Sequence, residues 1–329
     1  MKRHEVKGKG SDLTDKKLQH NRGKKKMITR AIVKSLLEIA ERKGDVRFTK
    51  SLWNAYHCLD RIITGDDRMF TPYYCRSRVC TVCAGNRKAE LINRYFPEII
   101  KWKAPHFVTL TVRSVPAKLL DKWINEGMIR GFNRIIAKYR KRKQRGKSPM
   151  LMGIRTLECN FNPKKGTYNP HFHVIVENDE TAQILIDEWL NLWRSNKRLY
   201  ASRKGQDMRP IKDLQQDLIE VIKYGTKIFT QPDPDKTKRV KGSERIYAKA
   251  LYNILSAMKG RHLFEHFGFT PPPLSVQKNE PITLSASQDW KYDQGRLDWA
   301  NKETDEVLTD FTPSPKLVEM CSEIDSDLE

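Results

Sequence analysis

Residues 151–177 contain two runs of strand-forming residues joined by the short turn NPKKGTYN. A connection of this length cannot hold a crossover helix, so the two strands are expected to pair antiparallel as a hairpin. Helical and strand patterns alternate along much of the remaining chain. The sequence therefore predicts an α+β fold, in which helices pack on a central sheet that is antiparallel or mixed.

Apolar spacing and composition divide the chain into four parts. Helices are expected at 27–43, 86–102, 116–143 and 180–195, from Asp213 onward, and in a region that reaches about Phe267. Further strands are expected at 106–112 and 207–211. The four predicted parts are a basic flexible arm at 1–26, a helical cysteine-bearing module at 27–103, a sheet domain at 104–270, and a Pro-rich to acidic, partly disordered tail at 271–329.

The chain is strongly basic, with 62 Lys and Arg against 40 Asp and Glu and a formal charge of +22. Such an excess suits a polyanionic partner, with nucleic acid the first candidate and an anionic membrane surface the second. No apolar run approaches the roughly 20 residues that span a bilayer, and the start MKRHEVKGKG lacks the hydrophobic region of a secretory signal. We expect a cytosolic protein that does not enter the membrane.

Four cysteines lie close together in the sequence: Cys58, Cys75, Cys80 and Cys83. A Cys-x2-Cys pair lets two thiolates reach one ion from a tight turn, and two further cysteines complete a tetrahedron. Clustered cysteines in a reducing compartment favour a structural zinc site, with free thiols or a redox pair as the alternative. His57 competes with Cys58 for the fourth position, since adjacent residues rarely bind the same ion.

His171 and His173 stand two residues apart on the second strand of the hairpin. Alternate residues of a strand face the same side, so both rings can point to one divalent ion while Phe172 faces the core. Glu158, on the first strand, can face the pair and supply a carboxylate. This mixed site suits Mg or Mn as well as zinc and leaves coordination positions open. The alternative is two surface histidines and an exposed carboxylate.

The segment QQDLIEVIKYGTKIF is expected to form a helix that carries Glu220, Lys223, Tyr224 and Lys227. Residues four apart lie on one face, which places Glu220 beside Tyr224. A tyrosine hydroxyl beside a metal ion can attack a phosphodiester, and a nearby carboxylate can activate a water molecule. The alternative is a half-buried tyrosine and a solvated glutamate.

The predicted helix at 116–143 ends in the most concentrated positive charge of the chain. Its candidate DNA-binding residues are Lys138, Arg140, Lys141, Arg142, Lys143 and Arg145. Lysine and arginine contacts to phosphate supply affinity by releasing counterions. The alternative is a solvated helix end.

These segments together resemble the rolling-circle replication initiators (Rep proteins) of small plasmids, within the HUH endonuclease superfamily. The resemblance is to the branch that pairs one tyrosine with a glutamate, and it runs from about Tyr56 to Gly268. Its segments, in family order, are CRSRVCTVCAGNR at 75–87, FVTLTV at 107–112, NPHFHVIV at 169–176 and EVIKYGTK at 220–227. Two departures are Thr81, where the family usually has proline, and Asn86, where it has the first of two arginines.

The resemblance implies an HUH, RRM-like sheet and a bacterial, cytoplasmic enzyme that binds a plasmid origin and nicks one strand. His171 and His173 would hold the Mg or Mn ion, Tyr224 would be the nucleophile, and Glu220 would direct water at termination. Lys223 and Lys227 would hold phosphate, whereas Glu158 as a ligand rests on the hairpin geometry. A host helicase and DNA polymerase are the implied partners. The alternatives are an HUH transposase or relaxase, and a non-catalytic zinc-containing DNA-binding regulator.

Overall fold

The computed structural model describes residues 4–7, 11–71, 73–194, 200–223, 247–273, 281–284, 287–322 and 324. The chain divides into two compact units, one formed by Met1–Asn86 with Ser275–Glu329 and the other by Arg87–Leu274. No helix in these described ranges is both long enough and apolar enough to cross a membrane.

The helices are α1 (Lys16–Arg42), α2 (Val46–Tyr56), α3 (Thr81–Ile99), α4 (Ala117–Lys122), α5 (Arg130–Gln144), α6 (Asp179–Trp193), α7 (Leu214–Lys223), α8 (Ala248–Ala257) and α9 (Pro315–Ser322). A π-helical segment, Trp123–Ile129, joins α4 to α5. The strands are β1 (His4–Lys7), β2 (Ser11–Asp12), β3 (Arg61–Gly65), β4 (Arg68–Phe70), β5 (His106–Thr111), β6 (Gly153–Asn162), β7 (Thr167–Val176), β8 (Asp207–Pro210), β9 (Phe264–Phe267), β10 (Pro281–Leu284), β11 (Gln288–Asp293) and β12 (Asp298–Asn301).

The unit that carries the cysteines contains a sheet, which differs from the helical module that the sequence predicts. Its five strands lie in the order β12-β11-β3-β4-β2, and β1 pairs with β10. The C-terminal strands therefore belong to the same unit as the N-terminal residues. Trp290 and Trp299 are buried, and Trp299 Nε1 donates to the carbonyl of Leu59 at 2.5 Å. These two side chains bury apolar surface, which the acidic composition of the C-terminal residues does not indicate. Residues 287–322 therefore do not form the partly disordered tail expected from sequence.

Helix α1 begins at Lys16, inside the expected flexible arm. The carboxylate of Asp15 accepts from the N–H of Leu18 at 2.9 Å and caps the helix, because the first N–H groups of a helix lack partners within it. Lys26 is 1% exposed, and its Nζ donates to the carbonyl of Tyr56 at 2.7 Å and to Asp60 at 2.5 Å. The basic run that ends at Lys26 is thus partly buried. The ion pair with Asp60 compensates the charge of the buried lysine.

The second unit is built on an antiparallel sheet in the order β8-β5-β7-β6-β9, which confirms the predicted α+β class with its central antiparallel sheet. Strands β6 and β7 form the expected hairpin. Phe172 is fully buried against Phe132 of α5 and Trp189 of α6, so these helices cover one face of the sheet. The expected helical region reaching Phe267 is wrong at its end, where β9 instead pairs with the edge of β6.

The opposite face of this sheet carries the alternate residues, including His171 and His173. Part of it is covered by α7, whose buried side chains Leu218, Val221 and Ile222 pack on Phe107, Ile154 and Ile175 of the sheet. The helix that contains Glu220 therefore lies on the same sheet face as the two histidines.

Candidate functional site

Glu158, His171 and His173 converge on the face of the sheet that α7 partly covers. The register of the hairpin pairs Glu158 with His171 directly, and Thr156 with His173. Glu158 Oε2 lies 3.4 Å from His171 Nε2, and Glu158 Oε1 lies 3.2 Å from His173 Nε2. One ligand atom from each residue lies within 4.8 Å of the other two. The triad can therefore enclose one ion.

Hydrogen bonds at the far side of each ring orient the two histidines. His171 Nδ1 donates to the carbonyl oxygen of Asn169 at 2.9 Å, and His173 Nδ1 lies 3.3 Å from the Thr109 hydroxyl. A carbonyl oxygen only accepts, so Nδ1 of His171 carries the hydrogen and Nε2 is left to face Glu158. Such partners are typical of metal-ligating histidines. Thr109 and Asn169 were missed from sequence, although strand alternation places both on this face.

Glu158 is a carboxylate in the interior, with a fractional exposure of 3%. Its Oε1 lies 3.2 Å from His173 Nε2 but receives no hydrogen bond of good geometry from the described residues. Burial would raise the pKa of Glu158, but His171 and His173 outweigh burial and lower the pKa below its ordinary value. A buried ionised carboxylate is stabilised by a neighbouring positive charge, which a divalent ion held by Glu158 and the two ring nitrogens would supply. Two nitrogens and one carboxylate oxygen fit a divalent ion such as Mg, Mn or zinc, with coordination positions left open.

Helix α7 is tied to the edge of the sheet by an ion pair between Asp217 and Arg209 of β8. The guanidinium of Arg209 also stacks over the ring of Phe107 at 4.6 Å. Glu220 is half-buried on this helix. Lys223 is the last residue described in α7, and Tyr224 and Lys227 lie outside the described residues. The assignments of Tyr224 and Lys227 therefore stay predictions.

The four clustered cysteines also come together, in the other unit. Their sulfur atoms lie within 4.8 Å of one another, and Cys83 Sγ is 3.6 Å from both Cys58 Sγ and Cys75 Sγ. Backbone N–H groups of Arg76 and Ser77 donate to Cys83 Sγ and Cys75 Sγ at 3.3 and 3.4 Å. Four convergent sulfurs with N–H donors fit a tetrahedral zinc ion.

Hydrogen bonds within the cysteine cluster move the pKa values of its thiols apart. Those from Cys58 are the largest cause of the lowered pKa of Cys80 and Cys83, whereas those to Cys75 raise the pKa of Cys58. The thiolate is the form of cysteine that binds zinc.

His57 points away from the cysteines. Its Nδ1 lies 2.7 Å from Asp60 Oδ2, its side chain is 58% exposed, and its ring stacks on Trp53. Cys58 rather than His57 is therefore the residue whose ligand atom joins the other three.

The basic end of α5 lies on the other side of the sheet from the triad, because α5 packs on the face that carries Phe172. Lys138 pairs with Glu188 at 2.6 Å, while Arg140, Lys141, Arg142, Lys143 and Arg145 are exposed. The structure thus does not bring these candidate DNA-binding residues onto the triad face.

The geometry defines an α+β protein with a two-histidine, one-carboxylate centre and a separate four-cysteine centre. The model of the replication protein family matches residues 66–269, a span that includes the triad, the Glu220 helix and three of the four cysteines. The chain therefore belongs to this family of replication proteins, and the resemblance to plasmid rolling-circle replication initiators is confirmed.

Relatives named Protein rep support the same assignment. The Staphylococcus aureus protein is 31% identical over 169 residues, which cover 49% of this chain and 72% of that protein. Proteins from Bacillus sp and Bacillus amyloliquefaciens are 30% and 31% identical, each over 46% of this chain. The chain spans 48% and 44% of those two proteins, about half of their length. No solved structure matches the chain.

Proposed function

We propose that this chain starts plasmid replication by nicking one strand of the origin and joining the 5′ phosphate to Tyr224. The convergence of Glu158, His171 and His173 on the sheet face that is partly covered by the helix leading to Tyr224 carries this proposal. Membership in the replication protein family supports it.

The proposed reaction is a transesterification at one phosphodiester. The Tyr224 oxygen forms a bond to phosphorus, the bond from phosphorus to the 3′ oxygen breaks, and the released 3′ hydroxyl primes synthesis. When bound, a Mg or Mn ion would polarise the phosphoryl oxygens and offset their developing charge. The chain contributes Glu158, His171 and His173 as ligands. Lys223 and Lys227 would hold the phosphate.

Termination requires release of the tyrosine ester by strand transfer or hydrolysis. Glu220, half-buried on α7 and four residues before Tyr224, is the proposed base that directs water to the phosphorus. The four cysteines would hold a structural zinc ion. Unwinding and synthesis would fall to a host helicase and DNA polymerase, the partners that the family resemblance implies.

The direct test is formation of a covalent adduct. The protein is incubated with labelled single-stranded origin DNA and Mn, and the adduct is separated under denaturing conditions. Wild type is expected to form a tyrosine-linked product that Tyr224→Phe does not form. Binding without an adduct would identify a regulator, and an adduct in Tyr224→Phe would place the nucleophile elsewhere.

Loss of Glu220 should separate nicking from release. Glu220→Ala is expected to form the adduct at near the wild-type rate but to release it at least about tenfold more slowly, because general base catalysis contributes about 100-fold or more. Single-turnover kinetics with a preformed adduct measure the release step. Glu220→Asp serves as the partial rescue, and normal release in Glu220→Ala would remove Glu220 from the mechanism.

A further inference from the structure

Three alternate residues of β6, all on the triad face, each carry a buried oxygen without a hydrogen-bond partner among the described residues. They are Thr156 Oγ1, Glu158 Oε1 and Asn160 Oδ1, each unpartnered within the described part of the chain. Residues two apart on a strand share a face, so the three oxygens form a row in which Glu158 is central. The row runs beside the two histidines, since Thr156 pairs with His173 and Glu158 with His171.

Unpartnered buried oxygens are costly, and folded proteins rarely retain them without a ligand or water. Thr156 is 1% exposed and Glu158 3% exposed, so bulk water does not solvate them. Neighbouring strands do not satisfy the row either. The carbonyl of Asn169, opposite Asn160, has no hydrogen to donate to Asn160 Oδ1, and the Thr109 hydroxyl lies against His173 Nδ1.

We propose that Thr156 Oγ1 and Asn160 Oδ1 each accept a hydrogen bond from water bound to the ion of the triad. This rests on the metal site of the proposed function and adds two positioning residues to it. Same-face neighbours on a strand are about 6.8 Å apart. The oxygen of a metal-bound water would lie about 2.1 Å from the ion, and the atom that accepts its hydrogen bond about 5 Å from the ion. Side chains on both sides of Glu158 can reach such waters.

The two positions also select the kind of ion. A tetrahedral zinc ion with three protein ligands keeps one water, which cannot serve acceptors on both sides of Glu158. An octahedral ion with the same ligands keeps three waters, as Mg and Mn commonly do. The row of oxygens therefore favours a hydrated Mg or Mn ion.

The test measures Mn binding by the full chain, without DNA and with the cysteine cluster preloaded with zinc. Free Mn is followed by electron paramagnetic resonance. Thr156→Val and Asn160→Ala are each expected to weaken Mn affinity by about tenfold, the lower end for loss of a residue that orients metal ligands. Thr156→Ser should restore the affinity, because serine keeps the hydroxyl.

Matched controls lie further along the same face of the hairpin, where Asn162 pairs with Thr167. Thr167→Val and Asn162→Ala should leave Mn affinity within threefold of wild type. The melting temperature of metal-free Thr156→Val should not fall, since a methyl group replaces an unpartnered hydroxyl. Its stabilisation by added Mn should shrink in line with the weaker affinity.

Unchanged affinity in Thr156→Val and Asn160→Ala would overturn the inference. Glu158→Gln separates this failure from a failure of the metal site, because that variant should lose Mn binding even where the flanking residues have no role. Persistent Mn binding in Glu158→Gln would instead show that the triad is not the Mn site. Neither outcome depends on whether Tyr224 forms an adduct.

Discussion

A histidine lies next to each candidate metal centre in the sequence, but only the triad includes its histidines as ligands. In the triad, the bond from His171 Nδ1 to the carbonyl of Asn169 leaves Nε2 facing Glu158. In the other unit, His57 Nδ1 contacts Asp60, and the exposed ring stacks on Trp53 instead of approaching the cysteines. Nδ1 has a partner in both rings, so the difference lies in where each ring is placed: the His171 ring is buried against Glu158, and the His57 ring is exposed.

The zinc content of single variants tests this difference at the cysteines. Cys58→Ser is expected to lose most of the bound zinc, because three thiolates do not close a structural tetrahedron. His57→Ala should keep one zinc ion per chain. Metal analysis after purification without added zinc measures both. Zinc loss in His57→Ala with retention in Cys58→Ser would reverse the assignment.

The β6–β7 hairpin holds the triad, and the close approach of β9 to β6 fixes its outer edge. Gly268 follows β9 at φ +79°, and a Cβ there would overlap the carbonyl of Leu151. Gly166, in the hairpin turn at φ +59°, has open space around the same position. A side chain at Gly166 would meet conformational strain alone, whereas one at Gly268 would meet both strain and steric overlap.

Substitution of these glycines should have unequal costs. Gly166→Ala is expected to lower the free energy of unfolding by about 1 kcal/mol, from the left-handed conformation alone. Gly268→Ala should lower it by about 3 kcal/mol, since overlap with a backbone oxygen adds a further cost. Urea denaturation followed by circular dichroism compares them. Equal losses would show that the chain near Leu151 moves aside freely.

At the scale of the whole molecule, positive charge is concentrated in the unit Arg87–Leu274, which has 37 Lys and Arg against 18 Asp and Glu. The basic end of α5 lies across the sheet from the triad, away from the proposed site of the scissile phosphate. Its side chains suit phosphates of another part of the origin DNA.

Neutralising α5 should therefore weaken binding without slowing nicking. The triple variant Arg140→Gln, Lys141→Gln and Lys143→Gln is expected to reduce the slope of log K against log salt by about 2–3 for duplex origin DNA. Nicking of a short single-stranded substrate should stay unchanged. Exchanging lysine and arginine at the same positions keeps the charge and serves as the control. An unchanged slope would make this helix end a solvated surface.

A C-terminal strand is one of the two neighbours of β3 in the sheet of the cysteine unit. β11 pairs with β3, and Trp299 donates to Leu59, the residue after Cys58. Deleting residues 275–329 is expected to reduce the zinc bound per chain and to lower the melting temperature. Deleting only residues 325–329 should change neither. Full zinc content in the longer deletion would show that the N-terminal residues form the centre alone.

Short-range patterns were enough to predict the hairpin, the shared face of His171 and His173, and Glu158 opposite them. A tight turn and strand alternation set these positions locally, with little influence from the rest of the chain. The Cys-x2-Cys pair and the Glu-x3-Tyr spacing are local for the same reason. The class of fold and the family followed from such segments in order.

Only the tertiary structure decided which distant segments meet. The acidic C-terminal residues join the cysteine unit, β9 takes the edge of β6, and the basic end of α5 lies on the face away from the triad. The unpartnered oxygens of Thr156 and Asn160 are likewise visible only once their neighbours are placed. Long-range pairing depends on the total burial of apolar side chains such as Trp290 and Trp299, which no local pattern records.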